Sequence, residues 1–202
     1  MRLKPFIPPP KAISAVNRRL AILPAGLRAH IERARAEGIR IAAALDVPAP
    51  EVDFALAAHD LFRAEPDDVL LREAARLGWE IDELERDEPR LLHGPVAGLW
   101  LERETGLDHD EITSAVTYHT TFAPRLGTVA AAVFIADKVE PEKLRRNPAL
   151  VAVRDAALAG RPYESVLLYL KWLSDDLSTR AGRPHPRALL ATDWISTMLS
   201  RS

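Results

Sequence analysis

Apolar residues recur every three or four positions along most of the 202-residue chain. That spacing places them on one face of an α-helix and is typical of helices that pack against a core. No segment alternates apolar and polar residues for long enough to predict a β-strand. The pattern therefore predicts an all-α bundle of about nine or ten helices, without internal repeats or low-complexity tracts.

Proline and glycine mark the ends of the predicted helices. Residues 1–10 form a proline-rich lead-in, and residues 79–89 are expected to form a polar helical turn or loop. We predict helices over residues 11–23, 25–45, 50–63, 66–78, 89–105, 108–119, 126–139, 148–159, 162–181 and 186–200.

The composition excludes several classes of function. A formal net charge of −2 gives no basic excess for binding nucleic acid. Cysteine is absent, so any metal must be held by nitrogen and oxygen ligands. No glycine-rich phosphate loop occurs. The longest apolar run, Val129–Ala136, is too short to span a bilayer, and no apolar segment follows the positively charged start. We therefore expect a cytoplasmic protein without a membrane partner.

Two His-Asp pairs occur in contrasting surroundings. His59 and Asp60 lie within the apolar run 52–62, whereas His109 and Asp110 begin a polar helix where water can reach them. Burying the first pair without partners would cost about 1–3 kcal/mol for each group, and more for the carboxylate. A metal ion between the two side chains would supply the missing positive charge. A hydrogen-bonded core histidine is the alternative interpretation of His59.

Further histidines and an aspartate lie on other predicted helices. Helix bundles build metal sites from inward-facing histidines and carboxylates of separate helices. Taken singly, His119 could be a cation at a helix end, His93 part of a capped loop and Asp137 half of a core ion pair. One shared metal centre explains all the candidates together: His30, His59, Asp60, His93, His119 and Asp137.

The order of these residues, H…HD…H…H…D, resembles the HD-domain metal-dependent phosphohydrolase superfamily. Four shorter motifs resemble the bacterial HD-domain symmetrical diadenosine tetraphosphate hydrolases. They are "LLHGPVAG" (91–98), "YHTT" (118–121), "ADKVEP" (136–141) and "PHP" (184–186). The resemblance covers about residues 24–199. It implies an HD-domain helical bundle over residues 24–202, preceded by the lead-in and a short helix over 1–23.

The resemblance implies a site with two divalent metal ions, usually iron in this family. Manganese, cobalt and zinc also suit the ligands. One ion would be held by His30, His59, Asp60 and Asp137. The second would be held by Asp60, His93 and His119, so that Asp60 bridges the two ions. A water or hydroxide that bridges the ions would attack an inner phosphorus of diadenosine tetraphosphate and give two ADP.

The resemblance also implies substrate contacts. Arg63 stands where the family has lysine in an HDxxK pattern, and it would assist catalysis by binding the polyphosphate. Thr120 and Thr121 would donate hydroxyl groups to phosphate, and Gly94 would permit a close approach of the backbone. The alternative roles are a surface cation for Arg63 and helix capping for the threonines.

The chain departs from the family pattern in two places. "FAPRLG" follows "YHTT" where the family has glycine, so the loop there is expected to be reshaped. Lys138 replaces an aromatic residue, and Glu142 and Lys143 replace Gly-Arg. We expect these changes to alter substrate contacts and to leave the metal ligands untouched.

Three alternatives to a symmetrical tetraphosphatase with a small nucleotide substrate stay open. One is another HD-domain nucleotidase or phosphodiesterase. Another is a catalytically silent helical module that senses nucleotides. The last is a helical scaffold whose histidines belong to the core.

Overall fold

The computed structural model describes residues 6–201, and every regular element in this range is helical. This confirms the all-α prediction. Two short 3₁₀ helices, Pro89–Leu92 and Pro148–Leu150, precede α6 and α10. The α-helices are α1 (Pro10–Ile22), α2 (Ala25–Ala44), α3 (Ala49–Ala58), α4 (Asp67–Arg76), α5 (Glu83–Asp87), α6 (His93–Thr105), α7 (Asp110–Tyr118), α8 (Thr128–Val139), α9 (Pro141–Arg146), α10 (Val151–Leu158), α11 (Pro162–Thr179) and α12 (Pro186–Leu199).

The helix count exceeds the prediction because α5 and α9 are too short to show a hydrophobic period. Each is defined by its N-terminal cap instead. The Asp82 side chain accepts a hydrogen bond from the Glu85 amide, and the Glu85 carboxylate accepts one from the Asp82 amide. The Glu140 side chain accepts a hydrogen bond from the Glu142 amide at the start of α9.

Three predicted helices differ from the structure by three or more residues at one end, and two of these differences fall at candidate ligands. The helix predicted over 50–63 ends at Ala58, and tight turns carry His59 and Asp60. The helix predicted over 89–105 is divided, so that His93 begins α6. In the same way, a 3₁₀ turn replaces the start of the helix predicted over 148–159.

Helix α8 lies at the centre of the bundle. Every residue from Val129 to Val139 is buried, because α2, α3, α7, α10 and α11 all pack against this helix. The apolar run is therefore the core helix of a globular protein. No described helix is long and apolar enough to cross a membrane.

Helix α1 packs on the same bundle. Ala12 and Val16 are buried in the common core. The guanidinium of Arg19 lies 3.7 Å from the centre of the Phe62 ring and pairs with Glu65 at 2.6 Å. These contacts hold α1 next to the turn that carries the first His-Asp pair.

Close packing of α6 against α7 depends on glycine. A Cβ atom at Gly98 would lie 2.0 Å from the Thr117 hydroxyl oxygen and 2.9 Å from the Thr113 carbonyl oxygen. We expect Gly98→Ala to push the helices apart and to lower the free energy of unfolding by about 1–3 kcal/mol.

Gly26 provides the matched control, because nothing lies within 4 Å of a Cβ placed there. Gly26→Ala is expected to change stability by less than about 1 kcal/mol, in the stabilising direction for a helical position. Urea unfolding of both variants tests this. Equal effects at the two glycines would show that the α6–α7 contact does not need Gly98.

A buried polar network joins α5 to the start of α12. The Glu85 carboxylate accepts hydrogen bonds from Trp79 Nε1 at 3.1 Å and from Arg187 Nη1 at 2.6 Å. His185 Nε2 lies 3.1 Å from Asp82 Oδ2 and 3.5 Å from Glu85 Oε1. The network fixes the "PHP" motif, and with it one wall of the cavity described below.

This network predicts part of the acid sensitivity of the fold. Burial alone would raise the pKa of Glu85, but His185 and Arg187 lower it to about 2. A depressed folded-state pKa stabilises the protein above the unfolded pKa of about 4.5, and this contribution is lost as the pH falls toward 2. Between pH 7 and pH 3, unfolding free energies measured without metal should fall by about 2 kcal/mol less in Glu85→Gln than in the wild type. Equal losses would contradict this assignment.

Candidate metal centre

Asp60 lies at the centre of the cluster, and its two carboxylate oxygens face different histidines. Oδ1 lies 3.1 Å from His93 Nε2 and 3.5 Å from His119 Nε2. Oδ2 lies 3.5 Å from both His30 Nε2 and His59 Nε2. One carboxylate therefore separates two pairs of imidazole nitrogens, which is the arrangement that a bridging ligand requires.

Asp137 completes one side of this arrangement. Its Oδ1 lies 2.9 Å from His30 Nε2 and 3.6 Å from His59 Nε2. Asp137 comes from the central helix α8, whereas His59 follows α3 and His30 lies on α2. The structure thus brings all six candidate ligands into one buried cluster.

Three of the histidines are oriented by backbone carbonyl groups. In each, Nδ1 lies within 2.7 Å of the carbonyl oxygen three residues earlier, so we assign the proton to Nδ1. The other nitrogen, Nε2, then directs its lone pair into the cluster, as a metal ligand must. The pairs are His59 with Leu56, His93 with Arg90, and His119 with Val116.

The buried polar atoms fit a divalent cation. His59 Nε2 is buried and lacks a hydrogen-bond partner among the described residues. Two nearly inaccessible carboxylates, those of Asp60 and Asp137, lie beside it. Four imidazole nitrogens and two carboxylates form a donor set that suits iron, manganese, cobalt or zinc.

The electrostatics of the cluster agree with this fit. Burial alone would raise the pKa of Asp60, but the surrounding histidines hold the pKa well below its usual range. Burial lowers the pKa of His119 to about 3, which keeps this imidazole neutral and able to bind a metal. Without a cation, Asp60 and Asp137 outweigh the burial of His59 and raise its pKa.

The other predicted site residues are Arg63, Thr120, Thr121 and Gly94. The first three lie beside the cluster at a cavity, whereas Gly94 does not line it. Arg63 Nη1 lies 3.5 Å from Asp60, and Thr120 Oγ1 lies 3.3 Å from His119 Nε2. Arg63, Thr120 and Thr121 all line the same cavity. Gly94 lies behind His119 instead, where an added Cβ would be 3.1 Å from His119 Nδ1. The close contact of Gly94 with α7 is a sufficient reason for a glycine at this position, and no contact with a substrate is needed to explain it.

The expectation that the departures leave the ligands untouched was wrong. Lys138 Nζ pairs with Asp137 Oδ2 and donates a hydrogen bond to the His119 carbonyl oxygen at 2.9 Å. Lys143 Nζ lies 2.7 Å from Asp137 Oδ1. Sequence position alone did not reveal this, because Lys143 reaches Asp137 only through the turn between α8 and α9.

Glu140 is a further residue that the sequence reasoning missed. Its Oε1 lies 3.4 Å from His30 Nδ1, and its Oε2 accepts a hydrogen bond from Arg33 Nε at 2.6 Å. A carboxylate that hydrogen-bonds the outer nitrogen of a histidine fixes the orientation of the ring. The available signal was an acidic residue three positions after Asp137, directly before Pro141.

Phe122 occupies the position where the family has glycine. Its φ is 59°, in the left-handed region that favours glycine, and its side chain is fully buried. The ring lies 5.2 Å from that of Phe134 on α8. The strain of about 1–2 kcal/mol is offset by burial of an aromatic side chain, worth about 1.5–3 kcal/mol.

Three cavities open beside the cluster. The first, about 270 Å³, is lined by Asp137 and by residues of α11 and α12. The second, about 540 Å³, is lined by His30 and by residues of α2 and α9. The third, about 240 Å³ beside His93, shares several lining residues with the first and extends it. Arg63 lines all three, so a substrate in any of them meets its guanidinium.

The comparisons agree with the motifs, although no family model matches the chain. The symmetrical bis(5′-nucleosyl)-tetraphosphatase of Bacillus subtilis is 27% identical over 119 residues, which is 59% of this chain and 62% of the relative. That of Staphylococcus aureus is 37% identical over 67 residues, 33% of this chain and 34% of the relative. The matched part of the chain spans about a third to three fifths of these relatives.

A solved structure is similar over nearly the whole chain. It is a predicted HD superfamily hydrolase from Clostridium acetobutylicum, whose name gives it a role in NAD metabolism. The TM-score is 0.84 with 19% sequence identity, and the match covers 94% of this chain and 98% of that one. The chain therefore has the fold of an HD superfamily hydrolase, and its sequence resembles the symmetrical bis(5′-nucleosyl)-tetraphosphatases.

Proposed function

We propose that this protein is a metal-dependent phosphohydrolase that cleaves diadenosine tetraphosphate symmetrically into two ADP. One observation carries the proposal: the carboxylate of Asp60 lies between two histidine pairs, with cationic side chains at the adjoining cavities. The resemblance to tetraphosphatases supports the choice of substrate.

Six residues would hold two divalent ions. Asp60 would bridge them, with His30, His59 and Asp137 on one side and His93 and His119 on the other. Ions held there would lower the pKa of water and neutralise the charge that builds on the phosphoryl oxygens. Iron is the proposed metal, because the family that the motifs resemble usually contains it.

The protein side chains would bind and orient the polyphosphate. Arg63 is about half exposed and lines every adjoining cavity, so its guanidinium can bind two phosphate oxygens at once. Thr120 can donate its hydroxyl hydrogen to a phosphate oxygen next to His119. Lys138 pairs with Asp137 Oδ2, whereas Oδ1 faces the histidines and Lys143, which makes Lys138 a positioning residue.

Product analysis tests the proposal. The protein, loaded anaerobically with ferrous or manganous ion, is incubated with diadenosine tetraphosphate in heavy-oxygen water, and the products are separated by chromatography. We expect ADP as the sole product, with one heavy oxygen in half of the molecules. AMP and ATP would contradict symmetrical cleavage. No hydrolysis by a metal-loaded protein would contradict the proposed substrate and favour another phosphorylated one.

A further inference from the structure

We infer that the site recognises one nucleoside of its substrate and binds the other end only through phosphate. The inference rests on the proposed function and deepens it. It assigns the first cavity to a nucleoside and the second to distal phosphates. A nucleoside 5′-tetraphosphate, which has one nucleoside instead of two, should therefore be a substrate as well.

The first cavity is lined by both charged and apolar side chains. Its charged lining residues include Arg63, Lys138 and Lys143, and Asp137 also lines it. Its apolar lining residues come from α5, the 3₁₀ turn before α6, α11 and α12, and they include Leu84, Leu91, Leu173, Leu177 and Ala188. Apolar walls with a few polar groups are typical of small-molecule sites. A nucleobase joined to a polyphosphate matches this combination of apolar and cationic surfaces.

Several of these leucines are only partly covered by protein. Leu91, Leu173 and Leu177 are half-buried, so they present apolar surface to the cavity. Glu88 and Arg183 also line it and offer polar partners for the edge of a base or for a ribose. The turn before α12 packs closely here, since a Cβ at Gly182 would lie 3.0 Å from Leu177.

The second cavity offers charge without an apolar wall. Its cations are Arg33, Arg63, Lys143 and Arg146, and its acids are Glu140 and Glu142. Among the described residues that line it, none is Phe, Tyr or Trp, the one aromatic ring is the imidazole of the candidate ligand His30, and Leu27 is the one large apolar side chain. Such a surface attracts phosphate, but it lacks the apolar wall that the first cavity offers a nucleobase.

The metal cluster connects the two cavities. Asp137 lines the first and His30 the second, and their side-chain atoms lie 2.9 Å apart. Arg63 and Lys143 line both cavities. A polyphosphate held at the cluster therefore has its nucleoside side in the first cavity and its remaining phosphates in the second.

The chemistry is the same for both substrates. The water oxygen bonds to the second phosphorus from the bound nucleoside, and the bond from that phosphorus to the next bridging oxygen breaks. The bridging oxygen leaves with the other half of the chain. Diadenosine tetraphosphate and one water give two ADP, whereas adenosine 5′-tetraphosphate and one water give ADP and pyrophosphate.

The test compares three substrates with the metal-loaded wild-type protein. We expect kcat/KM for adenosine 5′-tetraphosphate to lie within about tenfold of the value for diadenosine tetraphosphate, and the value for inorganic tetraphosphate to be at least about thirtyfold lower. A value for adenosine 5′-tetraphosphate more than a hundredfold lower would overturn the inference, because the second nucleoside would then be recognised. Equal hydrolysis of inorganic tetraphosphate would also overturn it.

The outcomes distinguish the inference from the proposed function. If diadenosine tetraphosphate is cleaved to ADP and adenosine 5′-tetraphosphate is not cleaved, only the inference fails. If neither nucleotide is cleaved, the result contradicts the proposed function, and the inference that rests on it fails with it.

A pair of variants on α11 tests the nucleoside cavity. Leu177→Asp places a charge on the apolar wall and should raise KM for both nucleotides and Kd for ADP at least about tenfold. Metal content should not change. Leu168→Asp lies on the same helix at a position 37% exposed and outside the cavity, so it should match the wild type. Unchanged ADP binding by a folded Leu177→Asp would contradict the assignment, and if that variant does not fold, the substrate comparison decides alone.

Discussion

Asp60→Asn is expected to lower hydrolysis by at least about a thousandfold, because it removes the carboxylate whose two oxygens face the two halves of the cluster. Asparagine has nearly the same shape, but it carries no negative charge and only one ligating oxygen. The variant should therefore bind less than one metal ion per chain. Metal analysis and rate measurements on the same preparation test both effects together.

The second His-Asp pair supplies the control. Asp110 is exposed in the first turn of α7 and lies outside the cluster, so Asp110→Asn should retain full metal content and activity. A metal-loaded, active Asp60→Asn protein would contradict the bridging role. Equal losses in the two variants would indicate a general effect on folding.

Removal of metal is expected to lower the melting temperature by about 10 °C. Binding to the folded state alone stabilises by about 4 kcal/mol at a thousand times the dissociation constant, and each kcal/mol corresponds to about 2–4 °C in a chain of this size. His59→Leu should melt about as low as the chelated wild type, and chelation should then have little further effect. Thermal scans with and without chelator measure both quantities.

This experiment separates a metal centre from a helical scaffold with core histidines. In a scaffold, replacing a buried histidine whose Nε2 lacks a partner should be neutral or stabilising. His109→Leu, in the pair outside the cluster, should keep the full response to chelation. A His59→Leu protein that melts at or above the metal-loaded wild type would contradict the metal account.

The helical period of apolar residues was sufficient to predict the fold class and most helices. It placed the end of α7 within one residue, but it could not locate the end of α3, because the turn that carries His59 continues the same apolar spacing. Those ends matter for the site. Each histidine follows the last helical residue and bonds a carbonyl three residues back, which directs Nε2 into the cluster.

Contacts between distant segments could not be predicted from spacing. Glu140 and Lys143 reach the cluster only because α9 turns back after α8. The apolar walls formed by Leu173, Leu177 and Ala188 come from helices whose patterns also fit ordinary core packing. Motif order indicated which side chains could meet, whereas the cavities around them depend on how α11 and α12 pack.

The segment "ADKVEPEK" (136–143) differs from the family pattern, and the structure shows a contact of Lys138 that the sequence did not indicate. Lys138 is buried beside the rings of Phe134 and Tyr169 and pairs with Asp137. It can therefore fix one carboxylate oxygen while the other faces the histidines and Lys143. In this chain the departure from the family pattern lies directly behind the proposed metal ligands.

The most direct test of the central claim is anomalous diffraction from crystals of the manganese- or iron-loaded protein. The account predicts two strong anomalous peaks on opposite sides of the Asp60 carboxylate. One peak should lie beside His30, His59 and Asp137, and the other beside His93 and His119. A single peak, or peaks located only outside this cluster, would contradict a two-metal centre bridged by Asp60.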